Sequence, residues 1–172
     1  MTQRTPTPAP QTGAGQIGMH TQAMFDDQSH DPYQRARKYS EPTRCDGCGA
    51  VYHGGRWQWG EAPAGAHAET CPACRRIHDK LPAGVLVLDG PYVATYGDEL
   101  IAIARNMADR ERAEHALNRI MQIDAHGDRI EISTTDIHLP QRIGKALTNA
   151  HDGELDVKYA KDEYSVRLHW HR

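Results

Sequence analysis

Two cysteine pairs constrain this chain more than anything else in it. Cys45-Asp46-Gly47-Cys48 and Cys71-Pro72-Ala73-Cys74 are each C-x2-C, they are separated by 22 residues, and they hold all 4 cysteines of the 172-residue sequence. A tetrahedral zinc ion takes four deprotonated ligands. A C-x2-C turn offers two sulfurs to one ion, and Gly47 and Gly49 let the backbone curl around it. Two such turns complete a set of four thiolates and leave no position for substrate or activated water. The spacing therefore predicts one structural zinc ion on Cys45, Cys48, Cys71 and Cys74. A rubredoxin-like iron site has the same ligand count, so zinc against iron stays open. A thioredoxin-like dithiol would use one C-x2-C at a helix start in a larger fold, not two matched pairs. His53 and His67 lie between the pairs and are alternative ligands, although such histidines more often belong to the surface.

Thiolate ligands imply a reducing compartment, and MTQRTPTPAPQTGAGQIG lacks the apolar middle of a secretory signal. A cytoplasmic location is therefore expected. No stretch approaches 18 apolar residues, so no membrane span is expected. Charged residues make up 25% and the hydrophobic set 38%, with one Phe, seven Tyr and three Trp. That is thin for one well-filled globule and favours small folds joined by polar segments. A formal charge of -3 supplies no bulk attraction for nucleic acid, and no sequence readout of DNA is expected.

The expected fold class is α+β: a four-cysteine zinc ribbon, then a helix, then a small β-β-α-β-β domain with one four-stranded sheet. Residues 1–43, rich in Pro, Thr, Gln, Ala and Gly without periodicity, read as a disordered arm. It contains a small basic cluster, Arg35, Arg37 and Lys38, diluted by Asp26, Asp27, Asp31 and Glu41. Residues 44–96 form the zinc-ribbon module, ending in the apolar run Val85-Leu86-Val87-Leu88 and the turn Asp89-Gly90-Pro91. Residues 97–118 form a connecting helix with a thin stripe (Leu100, Ile103, Ala104, Met107, Glu111, Glu114, Leu117) that suits a bridge between modules or packing only at its ends.

In 119–172, Ile120 to Ile123 and Arg129 to Thr134 flank a hairpin turn, with Ile130, Ile132 and Thr134 on one face. A helix from about His138 to Ala150 carries Leu139, Ile143, Ala146 and Leu147 on one stripe. Pro140 belongs in its first turn, so Asp136 caps it only if that turn starts late. Leu155 to Tyr159 alternates strictly, and Val166, Leu168 and Trp170 point inward on the closing strand.

Candidate contact residues cluster around the cysteines. Trp57 and Trp59, two apart in Gly-Gly-Arg-Trp-Gln-Trp, share a face if the segment is a strand. One ring would cover the metal while the other stacks on a base or peptide, with Arg56 on phosphate. Arg75, Arg76, His78 and Lys80 give the module a basic edge. Enzymatic constellations are missing: there is no glycine-rich phosphate loop, HExxH or nucleophile elbow. Asp136 with His138 suits an ordinary helix start as well as an acid–base pair.

The segments CDGCGAVYHGGRWQW, CPACRRIHDKLPAGVLVLDG and ISTTDIHLPQRIGKAL together resemble a family of small bacterial proteins. These are named for similarity to the N-terminal part of the archaeal and eukaryotic adaptor that accompanies the large ribosomal subunit during export and surveillance. They carry the label "affecting ribosome stability and mRNA decay". The resemblance covers about residues 44–172. It implies that Cys45, Cys48, Cys71 and Cys74 are zinc ligands and that the protein associates with a ribosome or RNA. The adaptor has more cysteine pairs and further domains, so no export role is implied here. The expected function is a non-enzymatic zinc-binding adaptor that meets a ribosomal or other RNA–protein surface through Arg56, Trp57, Arg75, Arg76 and Lys80. The alternative is a protein–protein module that uses the exposed side of the C-terminal sheet, with zinc holding only the fold.

Overall fold

The computed structural model describes residues 31–35 and 38–172. Most of the expected arm, residues 1–30 with Asp26 and Asp27, lies outside the described residues, as does Arg37 of the basic cluster. The part of the arm that is described is tied to the cysteine module. Arg76 donates to Asp31 at 2.5 Å, Arg35 to Glu69 at 2.6 Å, and the Tyr33 hydroxyl to Asp79 at 2.8 Å. Tyr39 packs 5.0 Å from both Tyr52 and Trp57. The boundary at residue 43 is thus too late, because two tyrosines and two opposite-charge pairs outweigh a polar composition.

Four strands of three residues build the cysteine module: β1 (Thr43–Cys45), β2 (Val51–His53), β3 (Arg56–Gln58) and β4 (His67–Glu69). They lie in the order β3-β2-β1-β4, with β4 parallel to β1 and the other neighbours antiparallel. Helix α1 (Pro72–Asp79) follows directly. Such short strands pack little, and the core is a cluster of Ala50, Tyr52, Trp57 and Ala73 around the sulfurs.

The rest of the chain is one sheet with two helices on one face. It comprises β5 (Gly84–Asp89), α2 (Pro91–Glu114), β6 (Ile120–His126), β7 (Arg129–Thr134), α3 (Leu139–His151), β8 (Glu154–Tyr159) and β9 (Val166–His171). The strand order is β6-β7-β5-β9-β8. The sheet therefore has five strands, not the four expected. Residues 84–89, assigned from sequence to the cysteine module, form its centre, antiparallel to β7 and parallel to β9. The apolar run suits a central strand: Leu86 and Leu88 are fully buried under the helices, and Val85 on the other face is also buried between the neighbouring strands. Gly84 permits the close packing there, since a Cβ would stand 2.5 Å from Pro140 and 2.6 Å from Thr134.

Helix α2 also departs from expectation. Gly90 turns the chain at φ 107, Pro91 takes a first-turn position, and the helix ends at Glu114. It is no bridge. Val93, Leu100, Ala104 and Ala108 are buried against the sheet and α3, and Glu111 accepts a 2.6 Å bond from Arg142. Alanines let the helices approach, so a stripe that looks thin in hydropathy still packs along its length. The C-terminal patterns hold: Ile130, Ile132, Thr134, Leu139, Ile143, Leu147, Val166, Leu168 and Trp170 are all buried. On edge strand β8 only Leu155 is partly covered, while Val157 and Tyr159 are exposed. Asp136 accepts from the N–H groups of His138 (2.7 Å) and Leu139 (2.9 Å), so the Asp136–His138 spacing is a helix cap.

Trp170 is fully buried, and a Cβ on Gly153 would stand 2.1 Å from its ring. Trp170→Ala should cost about 3–5 kcal/mol of unfolding free energy and Gly153→Ala about 1–3 kcal/mol. Both are read by denaturant titration, and losses below about 0.5 kcal/mol would mean that this corner is not packed as described.

Candidate metal centre

The four cysteines converge. Their sulfurs lie within 4.8 Å of one another, and Cys48 Sγ stands 3.8 Å from Cys71 Sγ. A tetrahedron of zinc–sulfur bonds about 2.3 Å long has edges of about 3.8 Å. A disulfide would need about 2.05 Å. Cys45 and Cys71 are completely buried, and Cys48 and Cys74 are half-buried. The cluster is thus a closed site capable of holding one thiolate-preferring metal ion.

Each pair is presented by a different element. Cys45 ends β1, and the following turn closes with Gly49 N–H donating to Cys45 O (2.9 Å) and Cys45 N–H donating to Ala50 O (2.7 Å). Gly49 has φ 78, a left-handed value that favours glycine. Gly47 faces the other pair, and a Cβ there would lie 3.1 Å from Cys74 Sγ. Cys71 caps α1, its sulfur accepting from Cys74 N–H at 3.4 Å, with Pro72 opening the helix. This pair does open a helix, as a redox dithiol would, but its sulfurs meet the first pair. Cys71 N–H donates to Cys45 Sγ at 3.2 Å. His53 and His67 are exposed on β2 and β4 and stand outside the cluster.

The electrostatics show what a cation supplies. Burial raises the Cys45 thiol, but N–H donors from Cys71, Cys48 and Gly47 outweigh it and bring the group down to about 7. Burial pushes Cys71 and Cys74 upward, reinforced at both by neighbouring sulfur charge. Four sulfurs this close ionise together only when positive charge joins them.

Part of that charge is Arg119, which carries no signal in the sequence. It sits just before β6 and is 8% exposed. Its guanidinium donates to Cys48 Sγ at 3.0 Å, Cys74 Sγ at 3.4 Å and Cys71 Sγ at 3.8 Å. Arg119 Nε donates to Ala116 O at 2.8 Å and its backbone N–H to Thr135 Oγ1 at 2.9 Å, fixing the fork from behind. The Trp59 ring covers both Arg119 (5.6 Å) and Arg112 (5.3 Å), and its indole N–H donates to Arg112 O. No residue spacing announces this contact, because the fold brings together residues 71 positions apart.

The residues expected to face a partner separate into two groups. Arg56 and Lys80 are exposed, and Lys80 ends α1 in a left-handed conformation. Arg75 is half-buried and donates to the Tyr39 hydroxyl at 2.6 Å. Trp57 and Arg76 are interior, at 8% and 4% exposure. Trp57 packs between Tyr39 and Tyr52, and Arg76 is held by Asp31, Leu81 O and the Tyr33 ring. Arg76 lies on the inward face of α1, so it serves packing, not a partner.

Arg119→Ala should weaken metal retention about 10- to 100-fold, read by competition with a chelator of known affinity. Unchanged retention would show that the guanidinium does not support the sulfurs.

No family model, no curated protein and no solved structure matches the chain. The spacing, burial and hydrogen bonding of its four sulfurs define the centre.

Proposed function

We propose that this chain is a non-enzymatic adaptor whose four cysteines hold one zinc ion and whose cysteine module meets single-stranded RNA on a ribonucleoprotein surface. The observation that supports it is a groove of about 650 Å³ beside the metal centre, between β3 and the C-terminal end of α2. Arg35, Lys38 and Arg56 line it together with Tyr39, Trp57 and Trp59. Cations beside the half-buried Tyr39 and Trp59 rings, with Trp57 packed beneath them, suit a strand whose phosphates need neutralising and whose unpaired bases need a stacking surface. Glu69 takes part of the Arg35 charge, Glu41 stands near Lys38 and Glu114 also lines the groove, so among the described residues Arg56 and Lys38 supply most of its remaining positive charge. Of the expected contact residues, Arg56 thus stays at this surface, while the α1 residues Arg75, Arg76 and Lys80 do not line it. The resemblance of residues 44–172 to the large-subunit adaptor family supports the same class of partner.

Zinc in this role holds the module together. A chelator that removes it should change the tryptophan fluorescence and release residues 43–80 to proteolysis, while the five-stranded sheet keeps its far-UV signal. An intact module after stripping would make the ion dispensable, and elemental analysis of the purified protein decides zinc against iron. Labelled single-stranded oligoribonucleotides, followed by fluorescence anisotropy across a salt series, test the groove. Lys38→Ala with Arg56→Ala should lower affinity and reduce the slope of log affinity against log salt by about 1.4, at about 0.7 per phosphate contact. Salt-insensitive or absent binding would transfer the assignment to a protein partner on the sheet face that carries no helix.

A further inference from the structure

The helix-free face of the five-stranded sheet carries a second group of metal-binding side chains, independent of the sulfur centre. His169 and His171 are two apart on β9, so both rings leave the same face, opposite the buried Leu168 and Trp170. Asp156 on β8 is the direct cross-strand neighbour of His169. One nitrogen from each ring and one Asp156 oxygen lie within 4.8 Å of one another. The rings stack with centroids 5.2 Å apart, both half-buried, while Asp156 is exposed.

Two further carboxylates flank the trio in register. Asp89 on β5 accepts from His169, whose Nε2 is 2.7 Å from Asp89 Oδ2. Glu154 on β8 stands 3.6 Å from Nε2 of His171. A carboxylate on one ring nitrogen fixes the imidazole and makes it a better donor, the arrangement that commonly supports metal-bound histidines. Arg129, 3.9 Å from Asp89, tempers the negative charge on that side.

We infer that His169, His171 and Asp156 form a binding site for one divalent transition-metal ion of the nickel, copper, cobalt or zinc class. Two imidazoles and one carboxylate suit these ions, whereas calcium and magnesium prefer sets made wholly of oxygen. Three protein ligands on an open sheet face leave the remaining positions to water. The site is therefore exchangeable, unlike the closed sulfur centre. The two sites use different strands, so one can fill without the other.

The test uses the full chain, loaded with one equivalent of zinc, which the four sulfurs take, and desalted, then titrated with Ni²⁺ in a calorimeter. One Ni²⁺ per chain is expected, with the zinc content unchanged. His169→Gln and, separately, Asp156→Asn should each weaken that binding at least tenfold while far-UV signal and zinc content stay as in the parent. Asp156 is exposed on an edge strand, so its variant also reads the site if the histidine variant folds poorly. Broadening of the His169 and His171 ring resonances by Ni²⁺ provides an independent readout. Absence of Ni²⁺ binding, or binding that both variants leave intact, would overturn the assignment.

Discussion

Four sulfurs that share a space less than 5 Å across are the constraint on which the cysteine module rests. Left as thiols they would be a small polar cluster in a poor core. As thiolates they would repel one another and pay for desolvation. Only a cation resolves both difficulties, and the module is built around supplying one. Its strands are three residues each, too short to stand alone, and its buried apolar set is small. A metal ion held there would do for this part of the chain what a hydrophobic core does for a larger one.

Arg119 makes that centre more than a local clip. Its backbone bonds to Thr135, beside β7, while its guanidinium reaches three of the four sulfurs. Ala116 and Leu117, just beyond α2, enter the apolar cluster around the cysteines, and Trp59 closes over Arg112 and Arg119. The charge that stabilises the metal site thus comes from the unit with the larger core. One buried guanidinium thus links the sulfur cluster to the sheet unit.

The sheet unit obeys a different logic. Leu86, Leu88, Ile132, Leu139, Ile143, Leu147, Leu168 and Trp170 are buried to completion or nearly so, and α2 and α3 cover one face. The opposite face carries Val85 and Val87 at its centre, flanked by polar and titratable side chains in cross-strand rows. This separation explains why the chain can be rich in charge and still hold a dense core. It also leaves two surfaces of distinct chemistry, a cationic and aromatic groove at the cysteine module and an imidazole–carboxylate group at the far strands.

Covalent spacing and short periodicity were legible without coordinates. Two C-x2-C pairs define a ligand set, the 130/132/134 and 166/168/170 alternations define an inward face, and Leu139, Ile143 and Leu147 define a helix stripe. Each depends only on neighbours a few residues away. The sequence did not reveal that 84–89 is the central strand of the second sheet, because an apolar run names its burial and not its partners. Nor did it reveal that Trp57 and Arg76 turn inward, since exposure depends on what Tyr39, Asp31 and Tyr33 do from a distant segment. Arg119 at the sulfurs and Asp156 beside His169 belong to the same class. Local chemistry determined which residues could bind a metal, while long-range pairing, paid for by burial across the whole chain, decided which of them meet.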